Sequence, residues 1–313
     1  MTATDPRPGE WGDGGRKSSG EPGEPSRFAN DRTGAFGWNR PRICYLRVPK
    51  TGSISVVQTI RAALGCSRNA ELHLADILAG PAAAAVDPAR APFAHGHVTW
   101  CDAEWLLADP AEWTAAVTLR DPVERTVSHY RYLRRRAITG DVPETNVGLY
   151  REVLERPLGE LIHDRDSLFH RWTMPAQTIF LGADRAGLYR LGDAPWSDEV
   201  IGHATAPEVL ARALDRLEGL GWVGILDTLH RDLGTLAAAR EWPDPAPVHA
   251  NRTPRDVDFS GFDRLDDADR RTLADRLAPD YVLLESAREL VAERREQGAR
   301  RRLARPCTWP SPV

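Results

Sequence analysis

Apolar positions fall into short runs that alternate with helical stripes. Ile43 to Val48 forms the first run and reads as a strand, closed by a turn at Pro49 to Ser53. From Ser55 to Leu64 the apolar positions Val56, Val57, Ile60, Ala63 and Leu64 recur at helical spacing, and Gly65 ends them. Phe93 to Thr99 and Ala115 to Leu119 read as two further strands. Asp121 and Pro122 then supply an N-cap and a first-turn proline for a helix to about Arg136, carrying Val127, Tyr130 and Leu133. Beyond about residue 140 the chain becomes helix-rich, with helices expected within Gly148 to His163 and Leu168 to Leu181. "GWVGIL" at 221–226 reads as a buried strand feeding a helix from Asp227 to about Arg240. Residues 242–262 read as loop, followed by helices at about 264–277 and 280–303. Strands alternating with helices predict an α/β fold with a parallel sheet and a helix-rich C-terminal half.

Residues 1–40 are rich in Gly, Pro, Ser, Asp and Arg without hydrophobic periodicity, and read as a disordered leader. Residues 41–303 read as a single domain and 304–313 as a tail. "GGRKSSG" at 14–20 lacks the preceding strand and the glycine before Lys17 that a nucleotide loop needs, so it reads as flexible tail.

Composition narrows the function classes. A hydrophobic content of 42% and ten tryptophans across 313 residues suffice for a sizeable core. A formal charge of −4 supplies no global basic field, so nucleic acid is not an expected partner. Four cysteines without CxxC spacing read as reduced thiols. With no N-terminal apolar h-region and no run of about 18 apolar residues, a cytoplasmic protein without a membrane partner is expected. The Arg-for-Lys and Ala/Gly/Pro bias is typical of a GC-rich bacterial genome.

Candidate chemistry begins at "RVPKTGS", 47–53. Lys50 and Lys17 are the chain's only lysines. A strand, a tight turn and a helix start present free N–H groups that favour an anion. Lys50 adds a compact charge, Gly52 permits close backbone approach, and Thr51, Ser53 and Ser55 offer hydroxyls. The segment reads as a phosphate or sulfate cradle, or as an ordinary turn with a solvent lysine. It is not GxxxxGK[ST]. In "TLRDPVERTVSHYRY", 118–132, Arg120 stands at the carboxyl end of a predicted strand, where open α/β sheets bind ligands, and Ser128 lies about two turns into the next helix. Arg125, Arg131, Arg134, Arg135 and Arg136 read as helix-surface charge.

In "FAHGHVTW", 93–100, His95 and His97 stand two apart on a strand-like stretch, so period-two geometry turns both imidazoles to one face and leaves space at Gly96 on the other. A base or substrate-orienting role, half of a metal site, and two structural histidines all remain open. Trp100, Trp105 and Trp113 fit core packing or a sugar-stacking cleft. His163, His170, His203, His230 and His249 read as surface or helix-packing residues. The sequon Asn251-Arg252-Thr253 is not expected to be glycosylated, and a role as a polar loop near a cofactor's phosphates stays open.

The pairing of "RVPKTGS" with "RDPVERTVSHYRY", about 70 residues apart, resembles the sulfotransferases that use 3′-phosphoadenosine 5′-phosphosulfate (PAPS), closest to the uronyl 2-O-sulfotransferases. "MPAQTIFLG" (174–182) is similar to that family's Gln-Thr segment and "GWVGILDTLHRDLGTL" (221–236) to its late strand–helix unit, so the resemblance covers roughly 43–290. It implies a P-loop-like parallel sheet flanked by helices. It assigns Lys50, Thr51, Gly52, Ser53 and Ser55 to the 5′-phosphosulfate, and Arg120 and Ser128 to the 3′-phosphate. Ile54 stands where the family often has a hydroxyl residue. His95 and His97 match the family's HGH segment, with His97 favoured as base and His95 as its support. Histidine's ordinary pKa suits removal of a hydroxyl proton near neutral pH. Lys50 would stabilise the leaving phosphate, with no obligatory metal. The expected partner is a small-molecule or carbohydrate acceptor bearing a hydroxyl. A P-loop kinase using ATP and magnesium, and a non-catalytic anion- or partner-binding scaffold, are the competing readings.

Overall fold

A computed structural model describes residues 42–64, 69–72, 91–107, 110–169, 172–183, 206–240, 242, 259 and 261–304. The leader, the tail, "GGRKSSG", the Gly65 stop, the sequon, His170, His203 and His249 lie outside the described residues.

Five strands, β1 (Arg42–Leu46), β2 (Asn69–Leu72), β3 (Phe93–Gly96), β4 (Trp113–Leu119) and β5 (Trp222–Ile225), form one sheet in the order β2-β3-β1-β4-β5. Every neighbouring pair is parallel. The sheet is buried on both faces, and alternation along each strand divides it between two cores. Ile43 and Tyr45 of β1, Phe93, Ala116 and Trp222 turn to one face. There they meet Val56 and Ile60 of the Ser53–Ala63 helix and Leu233 and Leu236 of the Leu229–Ala239 helix. Cys44, Leu46, Ala94, Val117, Leu119, Val223 and Ile225 turn to the other face. It is covered from the helices Trp100–Leu106, Ala176–Gly182, Pro207–Gly219 and Ala278–Ala304. A third cluster joins the Pro122–Ile138, Val147–Glu155, Leu158–His163 and Asp267–Arg276 helices. Among the described residues no helix is long and apolar enough to cross a membrane.

Several boundaries differ from the sequence reading for local reasons. The strand at Phe93 stops at Gly96, because Thr99 forms a reciprocal capping box with Asp102 and starts the Trp100–Leu106 helix. The stretch after Gly148 is two helices, since Pro157 cannot continue the first. Asp121 does cap the Pro122 helix, accepting from Glu124 N at 2.8 Å. Trp100 and Trp113 are fully buried, and Trp105 packs against their core, which settles them as core residues.

Two arginines expected on the helix surface are inside. Arg125 is buried and donates to Met174 O at 3.0 Å. Arg134 donates to Val153 O and Leu154 O at 2.7 and 2.6 Å and lies over the Phe262 ring. Two arginines of the Ala278–Ala304 helix are likewise tied into the fold. Arg294 donates to Leu220 O at 2.7 Å, and Arg295 pairs with the buried Asp232.

Candidate functional site

The register sets the carboxyl ends of three strands side by side, with Leu46 opposite both Gly96 and Val117. The "RVPKTGS" loop leaves β1 at this edge. Lys50 has φ +69° and Gly52 φ +83°, so two left-handed residues within three curl the backbone. Such turns make anion-binding concavities. Gly52 is the N-cap of the Ser53–Ala63 helix, its side carries no capping group, and the first turn has no acidic residue. Ser55 N and Val56 N already donate to Gly52 O, at 3.1 and 3.4 Å, so the N–H groups left without intrahelical acceptors are those of Ser53 and Ile54.

Not every loop residue serves as expected. The Thr51 hydroxyl is fully buried and donates to Val48 O at 2.9 Å, so this residue offers its backbone rather than its side chain. A Cβ on Gly52 would meet Leu226 Cδ1 at 2.6 Å. Its glycine is thus required by the left-handed φ and by packing on Leu226, not by an open face for a ligand. Ser53 is buried, and Ser55 and Ile54 are half-buried.

Arg120 follows β4 directly, and its Nη1 donates to Lys50 O at 3.2 Å, joining the two distant segments. Its peptide is held by Gln177, whose Oε1 accepts from Arg120 N at 2.8 Å while Nε2 donates to Arg120 O at 2.9 Å. Asp280, fully buried, accepts from Gln177 N at 3.2 Å and Thr178 N at 2.7 Å. Burial pushes the Asp280 carboxyl up, and the Arg125 charge opposes that shift. Ser128 is half-buried on the Pro122–Ile138 helix and makes no hydrogen bond to the loop among the described residues.

Comparison of the chain with family models and with curated proteins found no match.

The Lys50 ammonium lies 4.3 Å from the centroid of the Tyr132 ring. Burial, then the charges of Arg135 and Arg120, pull its pKa down to about 8. Desolvation also lowers Arg120, against the nearby carboxylates of Glu124, Asp227 and Asp121.

The two histidines of the HGH segment separate. His95 is buried, its ring 5.0 Å from that of Phe93, and neither ring nitrogen has a partner among the described residues. Burial, reinforced by the Arg47 charge, pulls its pKa down to about 4. His97 lies beyond the strand and is exposed. The single shared face fails because strand alternation ends at Gly96. The expected space at Gly96 is filled by the neighbouring strand, since a Cβ there would meet Leu72 O at 2.2 Å.

His97 Nδ1 lies 2.6 Å from Arg47 O. A carbonyl only accepts, so Nδ1 carries the proton and Nε2 is left with its lone pair. Desolvation of the ring and then the Arg47 charge hold this imidazole below its ordinary pKa, which favours the neutral form. Among the described residues no group of three or more His, Cys, Asp or Glu side chains could hold a metal.

His129 was not singled out by sequence reasoning. It is buried, with its ring 5.2 Å from Trp172 and 6.4 Å from Tyr132, and its Nδ1 has no partner among the described residues. Burial, then the charges of Arg125, Lys50 and His97, pull its pKa down to about 3. The available signal was spacing: Arg125, His129 and Tyr132 fall at i, i+4 and i+7 on one helical stripe.

Proposed function

We propose that the protein is a PAPS-dependent sulfotransferase that acts on a hydroxyl of a carbohydrate or glycosylated metabolite. The observation that carries this reading is the 3.2 Å bond from Arg120 Nη1 to Lys50 O, which brings the two family-like segments together at the carboxyl ends of adjacent parallel strands. The strand order supports a P-loop-like fold: the chain leaves central β1 toward β2 and β3 on one side and occupies β4 and β5 on the other. Ligands of open α/β sheets bind at such a switch point.

The donor set fits an anionic nucleotide. The loop offers backbone N–H groups, and Lys50 has no carboxylate partner among the described residues. Lys50, the Thr51 and Gly52 backbone, Ser53 and Ser55 would hold the 5′ end, and Arg120 with Ser128 the 3′-phosphate. PAPS, when bound, supplies the sulfuryl group. His97, with Nε2 unprotonated, accepts the proton of the acceptor hydroxyl. His95, neutral and buried in the strand below, is a supporting residue. Lys50 offers a compact cation where negative charge gathers on the leaving phosphate, which favours the transition state over the ground state.

Calorimetric titration with 3′-phosphoadenosine 5′-phosphate, set against ATP with magnesium, tests the reading. Binding of the former that weakens in both Lys50→Ala and Arg120→Ala is expected. Unchanged affinity in both variants, or a preference for ATP with magnesium, overturns it. His97→Ala that binds normally but does not turn over separates catalysis from a scaffold.

A further inference from the structure

Lys50 is unusual in what surrounds it. Its ammonium is desolvated, and the charged groups that act on it are the guanidinium groups of Arg135 and Arg120, both repulsive. Among the described residues no carboxylate pairs with it. Its backbone is also held in the left-handed region at φ +69°, which a lysine seldom adopts. The electron-rich group in reach is the Tyr132 ring, 4.3 Å from Nζ to the centroid. Cations are drawn to such ring faces, more strongly when desolvated.

The ring itself is fixed. Its hydroxyl accepts from Arg136 Nη1 at 3.1 Å, and Arg136 is clamped by both Asp141 oxygens at 2.8 and 2.9 Å. The ring also meets the His129 ring edge-on at 6.4 Å, and the Arg135 and Arg136 guanidinium carbons lie 5.7 and 5.6 Å from its centroid. An aromatic face tied at its hydroxyl is therefore presented to a flexible cation beside the loop.

We propose that Tyr132 is a positioning residue that holds the Lys50 ammonium in the anion-free protein and releases it to an anion entering the loop. A full negative charge that also accepts a hydrogen bond outcompetes a ring quadrupole. The cation is thereby kept beside the loop, rather than folded away or dispersed into solvent, until the anion arrives. The inference deepens the sulfotransferase reading, on which the identity of that anion rests; the seating of Lys50 does not depend on it.

The test exploits the chain's two lysines, Lys17 and Lys50. Protein labelled with ε-13C-lysine gives two side-chain resonances, assigned by their loss in Lys50→Arg. In the free protein the Lys50 ε-methylene is expected upfield of Lys17 through the Tyr132 ring current. Tyr132→Leu should abolish that shift and Tyr132→Phe should retain it. Titration with 3′-phosphoadenosine 5′-phosphate, and separately with inorganic pyrophosphate, should move Lys50 toward the Lys17 position. A Lys50 signal at the Lys17 position in the free protein overturns the proposal, as does one that stays upfield with both anions. If Tyr132→Leu does not fold, Tyr132→Phe and the wild-type titrations carry the test. Movement with pyrophosphate but not the nucleotide upholds the holding role and removes the donor assignment. Nucleotide binding seen by calorimetry with Lys50 unmoved does the reverse.

Discussion

Gln177 grips Arg120 by both ends of its peptide environment, accepting from its N–H at 2.8 Å and donating to its C=O at 2.9 Å. The amide side chain is completely buried and suits this double role because it carries an acceptor and a donor on one carbon. Gln177→Leu should therefore lower stability by about 2 kcal/mol or more, since each buried backbone group left unpaired costs roughly 1–3 kcal/mol. Gln177→Glu should not rescue it, because a carboxylate cannot donate to Arg120 O and faces Asp280 at close range. Urea unfolding of the three proteins measures this, and anion affinity should fall in parallel as Arg120 loses its setting.

Lys50 carries its charge below a pKa of about 8 and loses it above. Affinity for 3′-phosphoadenosine 5′-phosphate should therefore fall as pH rises through that value, with the midpoint moved upward by the bound anion's own charge. Lys50→Ala should bind weakly with little dependence over the same range. Lys50→Arg should also show none, because a guanidinium stays protonated. Calorimetry at about pH 7 and about pH 9 distinguishes the three.

His97 is held below its ordinary pKa by desolvation and by Arg47. In the proposed reaction its neutral form is the active one, so turnover should rise with pH along an acid limb whose midpoint lies below about 6.5. His97→Asn can preserve a donor to Arg47 O but supplies no base. It should lose about 100-fold or more in rate with binding intact. Initial rates across pH, once an acceptor is identified, check both statements.

His129 and His95 are buried in neutral form, with pKa values of about 3 and about 4. Their unfolded-state pKa is near 6.5, so the unfolded chain binds protons first. The stability they confer is complete above about pH 6.5 and is lost as pH falls toward 4 and 3, at up to about 1.4 kcal/mol per pH unit for each histidine. His129→Phe should flatten the acid side of the stability curve while leaving its slope near neutral pH unchanged. Denaturant unfolding at several pH values reads this directly.

Gly52→Ala should destabilise by about 1–3 kcal/mol, from a left-handed φ and from contact with Leu226. Adding Leu226→Ala removes the contact but not the backbone cost, and itself opens a cavity. A double variant that recovers part of the loss relative to the sum of the singles would show the steric share by thermal unfolding.

The strands were legible because parallel strands buried on both faces carry near-continuous apolar runs, as in Ile43 to Leu46 and, broken only by Thr118, Ala115 to Leu119. Asp121 as a cap was legible because capping chemistry is local. β2 was not read, as its residues Asn-Ala-Glu-Leu carry no apolar run and pair only on one edge with β3. Arg125 and Arg134 were misjudged because an arginine's burial depends on carbonyls supplied by distant residues, Met174 O and Val153 O.

Sequence alone determined the α/β alternation, the strand–turn–helix at Lys50, the arginine at the end of β4 and the two histidines near β3, because all of these are written in short-range order. Tertiary structure alone decided that Arg120 touches the Lys50 carbonyl, that Lys50 sits on Tyr132, and that His95 is sealed while His97 is open with a bare Nε2. Strand pairing across long sequence separations fixes which loop ends meet. Whether a polar side chain is spent on the protein or left for a ligand depends on partners that local sequence does not contain.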